Sequence, residues 1–338
     1  LSNKSLLHHG GKLRVAAARY DIPLEQWLDL STGINPDGWP APAIPAEVWA
    51  RLPEDDDGLE QAAHNYYGAE HLLPVAGSQA AIQTLPHLRA SSRIAVLNPA
   101  YAEHAHAWQR AGHTVTAVAA DEINTAITEF DVVVLINPNN PTGARFQREQ
   151  LLHWHEQLAA RGGWLVVDEA FMDTTPEQSL CLHSAHPGLI VLRSLGKFFG
   201  LAGARVGFIC AESPLLAQLK SLLGPWSISA PARYVATQAL QDRDWQQQTR
   251  QKLHAAGARL HALLTQHDLA PDGGCALFQW LQTPRAEQLH EQLAQQGILT
   301  RLFAEPASVR FGLPRDEVEW QRLDGALSSQ HGHDTLQI

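Results

Sequence analysis

Residues 130–143 read FDVVVLINPNNPTG. Five apolar residues in succession, Val132 to Ile136, leave no polar side for water. Three of them are adjacent valines, whose branched side chains favour extended backbone. Such a run suits a strand buried on both faces, the environment of a parallel sheet between layers of helix. Two prolines, three asparagines and a closing glycine then stop the strand in a turn. A long helix-like stretch follows to about Arg161.

The same order recurs on both sides. LLPVAGSQAAIQTLPHL (72–88) reads as strand, tight turn and helix, and RIAVLNPAYAEHAHAWQRAG (93–112) repeats it. HTVTAVAA (113–120), GWLVVDEAF (163–171), GLIVLRSLGK (188–197) and ARVGFICA (204–211) read as further strands. Strands alternating with helices predict an α/β fold with an open, mostly parallel sheet covered on both faces. Its carboxyl-end loops are where such sheets place ligands. After about residue 225 the texture changes to a smaller α/β domain. One long helix is expected over roughly 231–267, then GCALFQWLQ (274–282), a helix over 285–296, GILTRLF and ASVRFGLP. The expected division is an N-terminal arm, 1–35, joining the small domain; a large domain, 36–230; and a small C-terminal domain, 231–338.

Composition removes several function classes. The 338 residues carry a formal charge of −10 and show no Lys/Arg run, so neither nucleic acid nor an anionic membrane is an expected partner. An anionic ligand needs local positive charge against that field. Cys181, Cys210 and Cys275 are far apart and odd in number, which gives neither a disulfide framework nor a thiolate zinc site. None of the 18 histidines stands in a recognised metal-binding spacing, so no metal is expected. Those in HAH (104–106) and HWH (153–155) are expected on helix surfaces. No apolar run reaches spanning length, and a soluble cytoplasmic protein is expected.

Four strand ends carry chemistry. Asp168 closes the apolar run WLVVD, where a carboxylate is costly unless a cation pairs with it. Asn140 lies in the turn after VVVLI. AGSQAAI (76–82) places Gly-Ser-Gln at a helix start, where free backbone N–H groups attract anions. SLGK brings Lys197, with Arg205 eight residues later. SLGKFF lacks the remaining residues of an ATP-binding P-loop, and GLAGARVG has the wrong spacing for a dinucleotide fingerprint. An acid, an amide, an anion cradle, an amine and an arginine suit a flat anionic ligand with a cationic ring nitrogen. Pyridoxal 5'-phosphate (PLP) meets that description.

NPNNPTG, VVDEAF and SLGKFFGLAGARVG stand in the order and spacing of the fold type I PLP-dependent transferases, and the chain resembles their histidinol-phosphate aminotransferase-like branch over nearly its whole length. The resemblance implies that Lys197 forms the Schiff base and that Asp168 pairs with the pyridinium nitrogen. Asn140 would meet the ring hydroxyl, and Tyr101 would stack on the ring. Ser78, Gln79, Ser194 and Arg205 would hold the cofactor phosphate, and Arg310, in SVRFGLP, a substrate acid group. A homodimer is implied as well.

Within that branch, three features resemble the threonine-phosphate decarboxylases of cobalamin biosynthesis. Phe171 stands where most transaminases of the group carry a tyrosine. HHGGKLRVAAARYDIP leads into LDLSTGINPDGWP, and GPWSISAPA occupies 224–232. By this resemblance His9, Thr32, Gly33 and Asn35 line the site for a phosphorylated amino acid. The implied reaction is decarboxylation of L-threonine O-3-phosphate; aminotransfer of the histidinol-phosphate type is the alternative. A PLP-binding regulator would need a basic DNA-binding domain, which the start of the sequence does not resemble. Relatives also carry a tyrosine, reaching the neighbouring subunit, where this chain has Leu52; Tyr66 and Tyr67 are the substitutes at hand.

Overall fold

The computed structural model describes residues 10–329. They form two compact units. The larger comprises 38–140 and 144–250; the smaller comprises the chain before 38, residues 141–143 and the chain from 251 onward.

Seven strands build the sheet of the larger unit. Across it they run Leu72–Val75, Gly207–Cys210, Leu189–Ser194, Trp164–Asp168, Val132–Ile136, Arg93–Leu97 and Thr114–Val118. The last five pair in parallel. Gly207–Cys210 is antiparallel to both of its neighbours. Leu72–Val75 therefore points the same way as the parallel set. All residues of the strand Val132–Ile136 are buried, as its unbroken apolar run requires. Helices cover the sheet with matching stripes: Leu151, Trp154, His155 and Leu158 are the buried positions of Arg148–Ala159, at the three- and four-residue intervals of one helix face.

The smaller unit has an antiparallel sheet in the order Arg301–Phe303, Ser308–Gly312, Phe278–Gln282, Gly273–Cys275. Leu28–Asp29 pairs in parallel with Ile298–Leu299. A small core of Ala16, Trp27, Ala294 and Leu299 joins the helices Leu13–Tyr20 and Ala286–Gln295 to this ladder.

Two expectations need revision. The helix over 231–267 is two helices, Ala230–Gln241 and Arg243–Gln266. Asp242 breaks it: its Oδ1 accepts the backbone N–H of Trp245 at 3.1 Å, and its Oδ2 accepts the Trp39 indole N–H at 3.0 Å. A short acidic side chain that bonds backbone N–H groups starts a new helix instead of continuing the old one. The chain leaves the larger unit at 250, not 230. Trp245 stacks 5.6 Å from the Phe199 ring, and Arg250 Nε donates to Asp173 O at 2.9 Å, which ties the second helix's first turns to that unit. The helices Ser213–Leu223 and Glu317–Ser328 complete the units and were not expected from the motifs. No helix among the described residues is long and apolar enough to cross a membrane.

Candidate active site

Strand direction gathers the predicted residues of the larger unit. Six of its seven strands point one way, so their carboxyl ends share one edge of the sheet. Ser78 follows Leu72–Val75, Tyr101 follows Arg93–Leu97, and Asn140 follows Val132–Ile136. Asp168 and Ser194 are themselves last residues of strands, and Lys197 comes three residues after Ser194. The antiparallel strand begins at this edge, which brings Arg205 there too.

Asp168 is buried, 4% exposed. Its Oδ1 accepts the backbone N–H of Ala170 at 3.0 Å, and its Oδ2 lies 3.0 Å from His104 Nε2. His104 is 2% exposed, so the histidine and the carboxylate answer each other's polar demand out of water. Sequence reasoning put the HAH and HWH histidines on helix surfaces; His104 and His155 are buried. The signal was present. His104, Ala107 and Trp108 are the buried residues of Glu103–Arg110, one face at helical spacing.

Lys197 is half-buried, and its Nζ lies 5.6 Å from the centre of the buried Phe171 ring. Ser194 Oγ accepts the N–H of Gly196 at 3.1 Å, which turns the chain toward the lysine. Tyr101 donates its hydroxyl to Gln79 Oε1 at 3.2 Å, and Gln79 Nε2 donates to Glu103 at 3.0 Å. These bonds hold Tyr101 beside the start of the helix Ser78–Thr84.

Two glycines make room at that helix start. A Cβ on Gly77 would lie 2.7 Å from Arg205 Nη2, and one on Gly207 would lie 2.6 Å from the Ser78 nitrogen. The exposed Arg205 guanidinium therefore rests against the turn that precedes Ser78 and Gln79. The start of the helix and an arginine therefore lie side by side, the kind of surroundings that attract an anion. Asn140 is half-buried at the same edge.

Beneath the site lies an ion cluster with no sequence motif. Arg193 donates to Glu169 Oε2 at 2.5 Å and to Asp173 Oδ1 at 2.6 Å, and all three side chains are at most 2% exposed. Burial pushes the Glu169 carboxyl above its ordinary range, against the pull of Arg193. The cluster also absorbs the proposed substitutes for Leu52. Tyr66 donates to Asp173 at 3.0 Å and accepts from Arg250 at 3.3 Å; Tyr67 is buried 4.7 Å under the Arg193 guanidinium. Both are held within their own unit, whereas Leu52 is 63% exposed.

In the smaller unit Arg310 sits mid-strand, 6% exposed, with its guanidinium 5.1 Å from the Phe278 ring. Nη2 donates to Ser31 O at 2.9 Å. Gly312 N donates to Leu30 O at 2.7 Å, and a Cβ on Gly312 would lie 2.3 Å from Thr32 O. The structure thus brings Arg310 against 30–32. Gly33 and Asn35 follow, both buried, with Asn35 Oδ1 accepting the N–H of Asp37 at 3.0 Å; Thr32 is half-buried. His9 lies outside the described residues. Arg301, which the sequence did not single out, stands directly opposite Arg310 across the ladder. Like charges so placed repel. Burial first, and then Arg301, pull the Arg310 pKa down to about 10.

The family model described as aminotransferase class I and II matches residues 27–323. A threonine-phosphate decarboxylase of Pseudomonas aeruginosa is 59% identical over 322 residues, covering 95% of this chain and 97% of that protein. A Sinorhizobium threonine-phosphate decarboxylase is 43% identical, again over 95% of this chain and 97% of the relative. The crystal structure of a histidinol-phosphate aminotransferase from Clostridium acetobutylicum superposes with a TM-score of 0.81 at 23% identity, over 90% of this chain and 99% of that one. That last likeness speaks for the fold alone.

Proposed function

Since the chain belongs to the aminotransferase class I and II family, we propose that it is a PLP-dependent carboxy-lyase. Its substrate is L-threonine O-3-phosphate, and its products are carbon dioxide and (R)-1-amino-2-propanol phosphate, a precursor for cobalamin. The 59% identity to a threonine-phosphate decarboxylase over nearly the full length carries the choice of reaction. The residues present fit the cofactor. Gly77 lets Arg205 approach where a Cβ would stand, Gly207 does the same for the Ser78 backbone, and Asp168 is a buried carboxylate already oriented by two partners.

When bound, the cofactor ring supplies an electron sink for the pair left at Cα as a bond breaks. The protein does the rest. Ser78 and Gln79 hold the phosphate through backbone N–H groups, helped by Ser194 and Arg205. Tyr101 would lie against the ring face, and Asn140 would meet its hydroxyl. Asp168, kept in place by His104, holds a proton on the ring nitrogen. Lys197 would tether the cofactor through its amine. Arg310 takes a substrate acid group in a planar, two-pronged grip, and Arg301 supplies a second cation for the other. A dianionic phosphate or a carboxylate relieves the repulsion between these two arginines, so the pair favours a substrate with two acid groups. Thr32, Gly33 and Asn35 would complete the acid-binding side. The way these residues orient the two acid groups would decide which bond at Cα breaks. Lys197 then returns a proton to Cα.

We also propose a homodimer acting in the cytoplasm. The exposed Trp49 and Leu52, 65% and 63% accessible, support the dimer. Leu52 lines a cleft together with Val48 and Tyr234. One assay tests the reaction. With L-threonine O-3-phosphate alone, carbon dioxide and aminopropanol phosphate should appear in equal amounts. Glutamate formed only from histidinol phosphate and 2-oxoglutarate would instead establish aminotransfer.

A further inference from the structure

The smaller unit holds its arginine with a device that no motif predicts. Asp29 ends the two-residue strand Leu28–Asp29, and its Oδ1 accepts two bonds from Ser31: the backbone N–H at 2.9 Å and the hydroxyl at 2.6 Å. The Ser31 hydroxyl also accepts the N–H of Gly11 at 2.8 Å. Ser31 is 2% exposed, so its backbone cannot readily turn toward water. Its carbonyl faces inward and accepts Arg310 Nη2 at 2.9 Å. The fit around it is tight, because a Cβ on Gly10 would lie 2.3 Å from Ser31 O.

We propose that Asp29 is a positioning residue for the acid-binding site: by closing the turn at Ser31 it aims the Ser31 carbonyl at Arg310 and so sets the direction of the guanidinium. This rests on the assignment of Arg310 to a substrate acid group. One carbonyl acceptor on Nη2 constrains the rotation of a planar group that must present its remaining N–H donors to a ligand. The Ser31 carbonyl and the Phe278 ring hold two sides of the guanidinium.

Geometry and charge predict opposite outcomes, which makes the proposal testable. Asp29 is close enough to Arg310 to favour its charged form. A negative charge near an anion site opposes anion binding. If Asp29 mattered only as a charge, removing it would tighten binding. As the holder of a turn, its loss weakens binding, by about tenfold if the freed guanidinium forfeits one charge-assisted bond of about 1.4 kcal/mol.

The experiment uses PLP-loaded full-length protein with Asp29→Ala, Asp29→Asn and Ser31→Ala. Asparagine keeps an oxygen that can accept both Ser31 bonds. L-Threonine O-3-phosphate binding is read by calorimetry and by KM where turnover occurs, and PLP uptake by absorbance. Asp29→Ala should bind the substrate about tenfold more weakly, with the loss in KM and not in PLP uptake. Asp29→Asn should bind at least as tightly as the wild type. Ser31→Ala, with an intact carboxylate, should show a smaller loss in the same direction, and serves if Asp29→Ala does not fold. Undiminished binding by Asp29→Ala or Ser31→Ala overturns the proposal; so does an equal loss in Asp29→Asn and Asp29→Ala. Wild-type protein that binds the diacid without releasing carbon dioxide would defeat the proposed reaction while leaving the positioning role to be judged by calorimetry.

Discussion

Replacing Arg193 with methionine removes one guanidinium from between two carboxylates. Methionine approximates the volume, so the perturbation is mainly electrostatic. Glu169 and Asp173 have no solvent exposure and would lose the cation that balances them. Breaking a buried pair by removing one partner costs about 3–5 kcal/mol. Here two acids lean on a single cation, which argues for the upper part of that range. For a folding unit of this size each kcal/mol moves the melting temperature by about 2–4 °C, so a fall of about 8–20 °C is expected. The pH dependence follows from Glu169, whose carboxyl already titrates above its ordinary range because burial outweighs Arg193. Without Arg193 that value climbs further. A group with a raised folded pKa contributes fully below its unfolded value, and the contribution is lost as pH rises through the folded one. The variant's deficit should therefore be smaller in acid than at neutral pH. Scanning calorimetry at both conditions reads it directly, and adding Glu169→Gln should recover part of the loss at the higher pH. A deficit below about 3 °C, or one that grows as pH falls, would mean that the cluster does not carry the charge balance assigned to it.

Two further substitutions probe the cofactor edge. His104→Leu leaves Asp168 Oδ2 buried without its partner, and hydrogen bonds to charged groups are worth about 1.5–3 kcal/mol. Titration of apoprotein with PLP, followed by absorbance, should show affinity reduced by about 10- to 150-fold; unchanged affinity would remove His104 from the account. Gly207→Ala places a methyl 2.6 Å from Ser78 N and 2.7 Å from Arg193 O, both backbone atoms that cannot swing aside. Overpacking of this kind costs about 1–3 kcal/mol. PLP binding should weaken accordingly, whereas a variant that loads normally would show that the phosphate turn tolerates displacement.

The residues legible from the sequence are those whose surroundings are local. Val132 to Ile136 announce a strand because burial on both faces demands an apolar residue at every position. Lys197, Asp168 and Asn140 announce chemistry because each is a polar residue where an apolar strand ends. Parallel pairing then brings those ends together, so the α/β expectation and the shared edge follow from one pattern. Strand direction is another matter. Gly207–Cys210 is as fully buried as the strand Leu189–Ser194 beside it, and nothing in a doubly buried strand's composition records which way it runs. Its reversal is nevertheless what returns Arg205 to the edge occupied by Ser78.

The residues that sequence reasoning missed share a property. His104, Arg193 and Arg301 each act on a motif residue, or support the strand that bears one, through a contact fixed by register or helix docking, and the local turn that Asp29 closes meets Arg310 only through tertiary pairing. Arg301 has no meaning until the ladder puts it opposite Arg310, and a shift by one residue would turn it to the other face of the sheet. His104 was in principle within reach, since it falls on the same helix face as Trp108, but only docking of that face puts a carboxylate at its Nε2. A motif therefore names the groups that touch the ligand. The partners that aim those groups and balance their charge are set by tertiary pairing. It follows that two chains alike in NPNNPTG, VVDEAF and SLGKFFGLAGARVG can still differ in how firmly Asp168 and Arg310 are held, and substitutions at the unmarked partners are where such differences in affinity should be sought.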